Sequence, residues 1–161
     1  MTIAVGDTFP DVKVMTMGES GPTPIQTGEL LGSGKVVLFA VPGAFTPTCS
    51  DFHLPSYVIR NAELRAKGVD TIACVSVNDA FVMDAWGKDQ NVGDGVVMLA
   101  DGNGDLTKAL GLEMDGTNFG LGTRSQRYAM VIEDGTVTLL NIETAGGSIE
   151  KSGAEAILNA L

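Results

Sequence analysis

Three short runs of continuous apolar, largely β-branched residues mark the middle of the chain: KVVLFAV (35–41), VDTIACVSV (69–77) and GVVMLA (95–100). Runs of this length without polar alternation fit strands buried on both faces, in a sheet covered by helices. Between them, roughly 47–67 and 79–90 are helix-like, so the order is strand–helix–strand–helix. Further on, QRYAMVIEDGTVTLLNIE (126–143) predicts a β-hairpin turning at Asp134-Gly135. The last ten residues, SGAEAILNAL, predict a closing helix capped by Ser152. Together these elements predict one α/β domain over 1–161, with a mixed central sheet flanked by helices.

Composition narrows the function. The 161 residues are 44% hydrophobic and 19% charged, which describes an ordinary globular chain able to bury a core. A net charge of −10 with no Lys/Arg cluster argues against nucleic acid and anionic membranes as partners. No apolar run approaches the roughly 20 residues that span a bilayer. The start, MTIAVGDTFPDV, has neither a basic region nor an apolar signal core, so a cytoplasmic location is expected. With two cysteines and one histidine there is no disulfide scaffold and too few Cys/His ligands for zinc, so no metal site is expected. Counting alone leaves haem ligation open, but no C-x-x-C-H motif is present. No G-x-G-x-x-G or Walker pattern implies a nucleotide, so no cofactor is expected. DGNGDL (101–106) starts like a calcium loop, but Leu106 and Leu112 stand where that loop needs Gly and Glu; it reads as a turn before a short helix.

The stretch AVPGAFTPTCSDFHLP (40–55) carries the candidate chemistry. A strand ends near Val41, the chain turns at Pro42-Gly43, and a helix can start with Thr46 as N-cap and Pro47 in its first position. Cys49 is then the third helical residue, where free N–H groups and the helix dipole favour negative charge. An ordinary thiol with a pKa near 8.5 is only about 3% thiolate at pH 7, and helix N-termini or nearby cations lower that pKa to roughly 3.5–7.5. Pro55 cannot donate to the Asp51 carbonyl, so the turn carrying Cys49 should be kinked and weakly tied to the following helix. Spacing alone leaves two readings: an activated nucleophile, or an irregular helix start with a buried structural cysteine. His53, four residues on, shares a face with Cys49 on a regular helix and either supports the sulfur or is a satisfied histidine. Arg127 opens a strand on the face of Ala129 and Val131, as an edge residue reaching water or a cation reaching into a pocket. Cys74 sits mid-strand, and its sulfur is expected to lie too far from Cys49 to bond without backbone movement.

These residues resemble the peroxiredoxins. PGAFTPTC contains the signature P-x-x-x-T-x-x-C as Pro42, Thr46 and Cys49. VPGAFTPTCSDFHLPSY, CVSVNDAFVMDAW, DGNGDLTKALGL and RSQRYAMVIEDG are similar, in order, to the subfamily of plant type II and animal type-five peroxiredoxins, over about residues 3–145. The resemblance implies a thioredoxin-like fold and reduction of hydrogen peroxide and organic hydroperoxides. It implies that Cys49 is the peroxidatic nucleophile, oxidised to a sulfenic acid. It further implies that the Thr46 hydroxyl orients the peroxide and contacts the sulfur, that Pro42 walls the pocket, and that Arg127 stabilises thiolate and leaving oxygen. Arg124 matches no catalytic position. Some type II members carry a second cysteine at the 25-residue spacing of Cys74, a possible resolving residue. The C-terminal resolving cysteine of the type-five proteins is missing after Asn141. The expectation is therefore a one-cysteine cycle reduced by glutathione, glutaredoxin or thioredoxin, in a homodimer whose contact lies near Phe45 and the 78–86 segment. A disulfide oxidoreductase would want C-x-x-C, which is absent. A peroxide sensor or redox-switched chaperone would use the same cysteine without turnover.

Overall fold

The computed structural model describes residues 1–144 and 147–161. An antiparallel hairpin opens the fold, β1 (Lys13–Gly18) with β2 (Gly21–Gln26), followed by α1 (Thr27–Leu31). Then come β3 (Lys35–Ala40), a π-helical turn (Cys49–His53), α2 (Leu54–Ile59), α3 (Asn61–Ala66) and β4 (Thr71–Ser76). Next are α4 (Ala80–Asp89), β5 (Val97–Ala100) and α5 (Asp105–Leu110). The chain continues with β6 (Glu113–Asp115), β7 (Thr123–Ser125), β8 (Tyr128–Glu133), β9 (Thr136–Ile142) and α6 (Ala154–Ala160).

Among the described residues, seven strands form one sheet in the order β2-β1-β5-β4-β3-β8-β9, and β6 and β7 pair separately. The three apolar runs are the parallel centre, β3 with β4 and β4 with β5; β1, β8 and β9 join antiparallel. Alternation along β3 explains why its run is continuous. Val37 and Phe39 enter the core beneath α2, α3, α4 and α6, while Val36, Leu38 and Ala40 enter the opposite core with Leu31, Leu106 and Leu110. The β8–β9 hairpin turns as expected, with Asp134 and Gly135 both at positive φ (48° and 84°), the geometry of a primed two-residue turn.

Two expectations change, and one element has no counterpart in the sequence pattern. That element is the opening hairpin, whose second strand carries Pro22 and Pro24, residues that ordinarily argue against a strand. β2 tolerates them because it is an edge strand with only β1 beside it. The 47–67 helix is not continuous: it runs from an α-helical start at 47–48 into the π-turn, returns to α, and breaks at Arg60 (φ −97°, ψ 17°). Ser152 does not cap α6. Gly153 holds that place, and the Ala154 N–H is taken by Ser56 Oγ from α2 at 3.1 Å.

Candidate active site

The loop between β3 and the π-turn is held from three sides. Val41 continues the sheet by donating to the Val75 carbonyl (3.1 Å). Ala44 N–H donates to Asn78 Oδ1 (3.0 Å), itself held by Ser76 Oγ (2.6 Å) beyond the end of β4. Arg124 Nη1 reaches the Pro42 carbonyl at 3.5 Å from β7, so this arginine buttresses the Pro42-Gly43 turn. Phe45 takes a left-handed conformation (φ 64°), which is costly for a side chain of this size and persists only because the turn is so tied.

Thr46 precedes the helix, and its carbonyl accepts the Ser50 N–H (2.9 Å). Its hydroxyl does not cap the helix or bond to the sulfur. It donates back to the Gly43 carbonyl at 2.6 Å, so its lone pairs are its remaining hydrogen-bonding capacity. Beyond Cys49 the ladder widens, with Leu54 N–H bonding to Cys49 O, five residues back. Pro55 has no N–H for the Asp51 carbonyl, and the backbone answers by adding a residue to the turn. Ser56 Oγ takes the His53 carbonyl (2.7 Å).

Cys49 is fully buried, and the side chains around it form a chain of hydrogen bonds. Arg127, the residue before β8, is only 8% exposed; burial excludes the water-reaching alternative. Its Nη2 donates to Cys49 Sγ at 3.1 Å, and its Nη1 lies 2.9 Å from His53 Nδ1. A guanidinium can only donate, so Nδ1 accepts and the ring proton sits on Nε2. Nε2–H in turn donates to the Ser152 carbonyl at 3.0 Å. Burial, and then the Arg127 charge, push His53 down to about 3, against the opposing Ser152 bond, so the ring is neutral at physiological pH. His53 thus belongs to the site through Arg127, without a hydrogen bond to the sulfur. Tyr57, stacked on Phe39 with centroids 3.9 Å apart, donates to the same Ser152 carbonyl (2.6 Å).

This arrangement brings an unpaired sulfur, a hydroxyl and a fixed cation to one helix start. Such a set suits nucleophilic attack on a group whose leaving atom becomes an anion. The comparisons with known proteins agree with that chemistry. The Redoxin family model matches residues 4–158. Peroxiredoxin-2E-2, chloroplastic, of Oryza sativa is 52% identical over 99% of this chain and 73% of its own length. The chain belongs to the peroxiredoxins. Peroxiredoxin-2C of Oryza sativa, 51% identical over 99% of this chain and 98% of its own length, fits the same type II subfamily. The crystal structure of reduced Prx3 from Vibrio vulnificus in complex with hydrogen peroxide superposes with a TM-score of 0.93, at 56% identity and 99% coverage of both chains. The fold is the thioredoxin-like one that the sequence implied, and the protein is a thiol-dependent peroxidase.

Other groups of this peroxiredoxin fall where the pattern put them, or nearby. Cys74 is buried in the middle of β4 and shares a core with Cys49; both thiols are free. Burial above all, then the charge of Cys49, push the Cys74 thiol well up, with Arg127 opposing. Asp101 is buried and accepts from Leu106 N, Thr107 N and Thr107 Oγ1 (3.0, 2.8 and 2.7 Å), so it holds the start of α5. Sequence reasoning missed Arg124 at the Pro42 turn, Asn78 at the Ala44 loop, and the Ser152 carbonyl behind His53. Each is a contact between distant segments with no local signature.

Proposed function

We propose that Cys49 is the peroxidatic nucleophile and that an external thiol closes the cycle. The observation that carries this is the buried Arg127 guanidinium 3.1 Å from the Cys49 sulfur at a helix start. The Cys49 thiolate attacks one peroxide oxygen, the O–O bond breaks, and the other oxygen leaves as alkoxide or hydroxide and takes a proton. Sulfur is oxidised to sulfenic acid and the peroxide is reduced to alcohol or water. Arg127 donates to the sulfur before attack and to the departing oxygen as charge moves outward. The Thr46 hydroxyl, its proton held by Gly43, offers lone pairs to the proton of the incoming hydroperoxide. Pro42 closes the pocket wall against water.

Glutathione, glutaredoxin or thioredoxin then attacks the sulfenic acid, releasing water and leaving a mixed disulfide that a second thiol resolves. The one-cysteine reading draws support from Cys74: a resolving cysteine attacks as thiolate, and burial in β4 holds this thiol in its neutral form. A homodimer through the Phe45 edge belongs to the same proposal. Phe45 and Phe81 are 52% and 64% exposed, and the Ala44–Asn78 bond brings the Phe45 loop beside the start of α4.

The test is peroxide consumption by catalytic amounts of protein, with glutaredoxin plus glutathione in one assay and thioredoxin with its reductase in the other. Many turnovers per Cys49 in either assay support the reading. A single stoichiometric oxidation in both leaves a sensor or redox-switched chaperone instead.

A further inference from the structure

We propose that Glu143 is a positioning residue for the active-site arginine, acting through the Ser152 carbonyl and His53; this rests on the peroxidatic role assigned above to Cys49 and Arg127. Ser152 lies in a turn ahead of α6, and the peptide that carries its carbonyl is held at its far end by the Gly153 N–H, which donates to the Ile149 carbonyl at 2.8 Å. Its carbonyl receives two buried donors, His53 Nε2 and Tyr57 OH, which occupy both of its lone pairs. On the other side of Ser152 the turn is set by one carboxylate oxygen. Glu143 Oε2 accepts from Ser152 N (2.7 Å), Ser152 Oγ (2.6 Å) and Lys151 N (2.9 Å).

Glu143 stands directly after β9, and its own N–H donates to the Arg127 carbonyl at 2.9 Å. The bonds therefore close a circuit. Arg127 backbone holds Glu143 backbone, Glu143 carboxylate holds Ser152, Ser152 carbonyl holds His53, and His53 holds the Arg127 guanidinium against Cys49. A circuit anchored on one strand pair transmits a displacement of the Ser152 peptide into the aim of the guanidinium. An arginine off line by part of an ångström loses a charge-assisted bond to the reacting sulfur. Asn141 Nδ2 holds the opposite edge of the Lys151–Ser152 peptide, through the Lys151 carbonyl (2.9 Å), while Glu143 takes its N–H and also the Ser152 hydroxyl.

The experiment uses the whole chain with Glu143→Ala, Glu143→Gln and Ser152→Ala. His53 is the only histidine, so its ring 15N resonances report its tautomer without ambiguity. In the parent protein they should show a single Nε2–H ring. Glu143→Ala should give a tautomer mixture, with Cys49 alkylation by iodoacetamide and oxidation by hydrogen peroxide each slowed roughly three- to tenfold. Glu143→Gln keeps an oxygen for the two backbone N–H groups and should recover most of both rates. Ser152→Ala removes one of the three bonds and should move all three readouts less, in the same direction; it carries the test if Glu143→Ala does not fold. A folded variant that is less stable but has parental His53 shifts and parental alkylation would overturn the proposal, leaving Glu143 a loop clamp. Absence of turnover in the parent would instead count against the peroxidase assignment, while the His53 spectrum and the alkylation rate would still decide this one.

Discussion

Arg127 Nη2 and Cys49 Sγ lie 3.1 Å apart with both side chains buried, and His53 occupies the other end of the same guanidinium at 2.9 Å. The cation is thus held from two sides, with one of its nitrogens aimed at the Cys49 sulfur. Arg127→Gln should slow oxidation of Cys49 by on the order of a hundredfold, the cost of losing one donor to developing charge. Stopped-flow oxidation and iodoacetamide alkylation at neutral pH measure this. Parental values for both would mean that the arginine holds structure rather than chemistry.

Cys49→Ser should retain the fold and lose turnover, since a serine hydroxyl at neutral pH is a far poorer nucleophile. The check is circular dichroism alongside peroxide consumption with excess thiol. Appreciable residual turnover would move the nucleophile elsewhere.

Cys74→Ser should keep most turnover when an external thiol is supplied and should cost stability. A hydroxyl placed among Val37, Ile72 and their neighbours without a partner costs about 1–3 kcal/mol, read as a lower denaturation midpoint. The opposite pattern, parental stability with one oxidation and no regeneration by any thiol, would make Cys74 the resolver.

Acid should weaken the fold through His53. Its folded pKa of about 3 lies below the ordinary 6.5, so between these values the unfolded state binds the extra proton. Stability from this group is complete above pH 6.5 and declines as pH falls toward 3, by about 2 kcal/mol at pH 5. Denaturation curves at pH 7 and pH 5 for the parent and for His53→Gln measure the difference. An equal pH dependence in both proteins would assign it to other groups.

Trp86, the only tryptophan, donates from Nε1 to Ser50 Oγ at 3.0 Å, one residue from Cys49. If oxidation opens the π-turn, indole emission should change at the rate of Cys49 oxidation. The signal should vanish in Cys49→Ser and shrink in Ser50→Ala. Constant emission through complete oxidation would show that the turn stays closed.

The legible parts of this protein are those written in short-range terms. KVVLFAV, TIACVS and VMLA announce β3, β4 and β5 because strands buried on both faces need apolar side chains at every position. Asp134-Gly135 announces its turn through positive φ. Pro47 and Cys49 place a cysteine at a helix start because first-turn prolines obey local sterics, although the Thr46 hydroxyl turns back to Gly43 instead of capping. Arg127, by contrast, was singled out by family resemblance, since a strand-opening arginine has two ordinary explanations.

What the tertiary structure decided is which lone pairs and N–H groups meet. Ser152 has the residue type of a cap, yet its hydroxyl goes to Glu143 and Ser56 serves α6 from another helix. Pro22 and Pro24 argue against a strand until the sheet order makes β2 an edge. His53 is a lone histidine in the sequence; its partners lie 74 and 99 residues away. A hydrogen bond depends on atoms within about 3 Å, and no spacing along the chain encodes a distance that only packing the sheet against its helices creates.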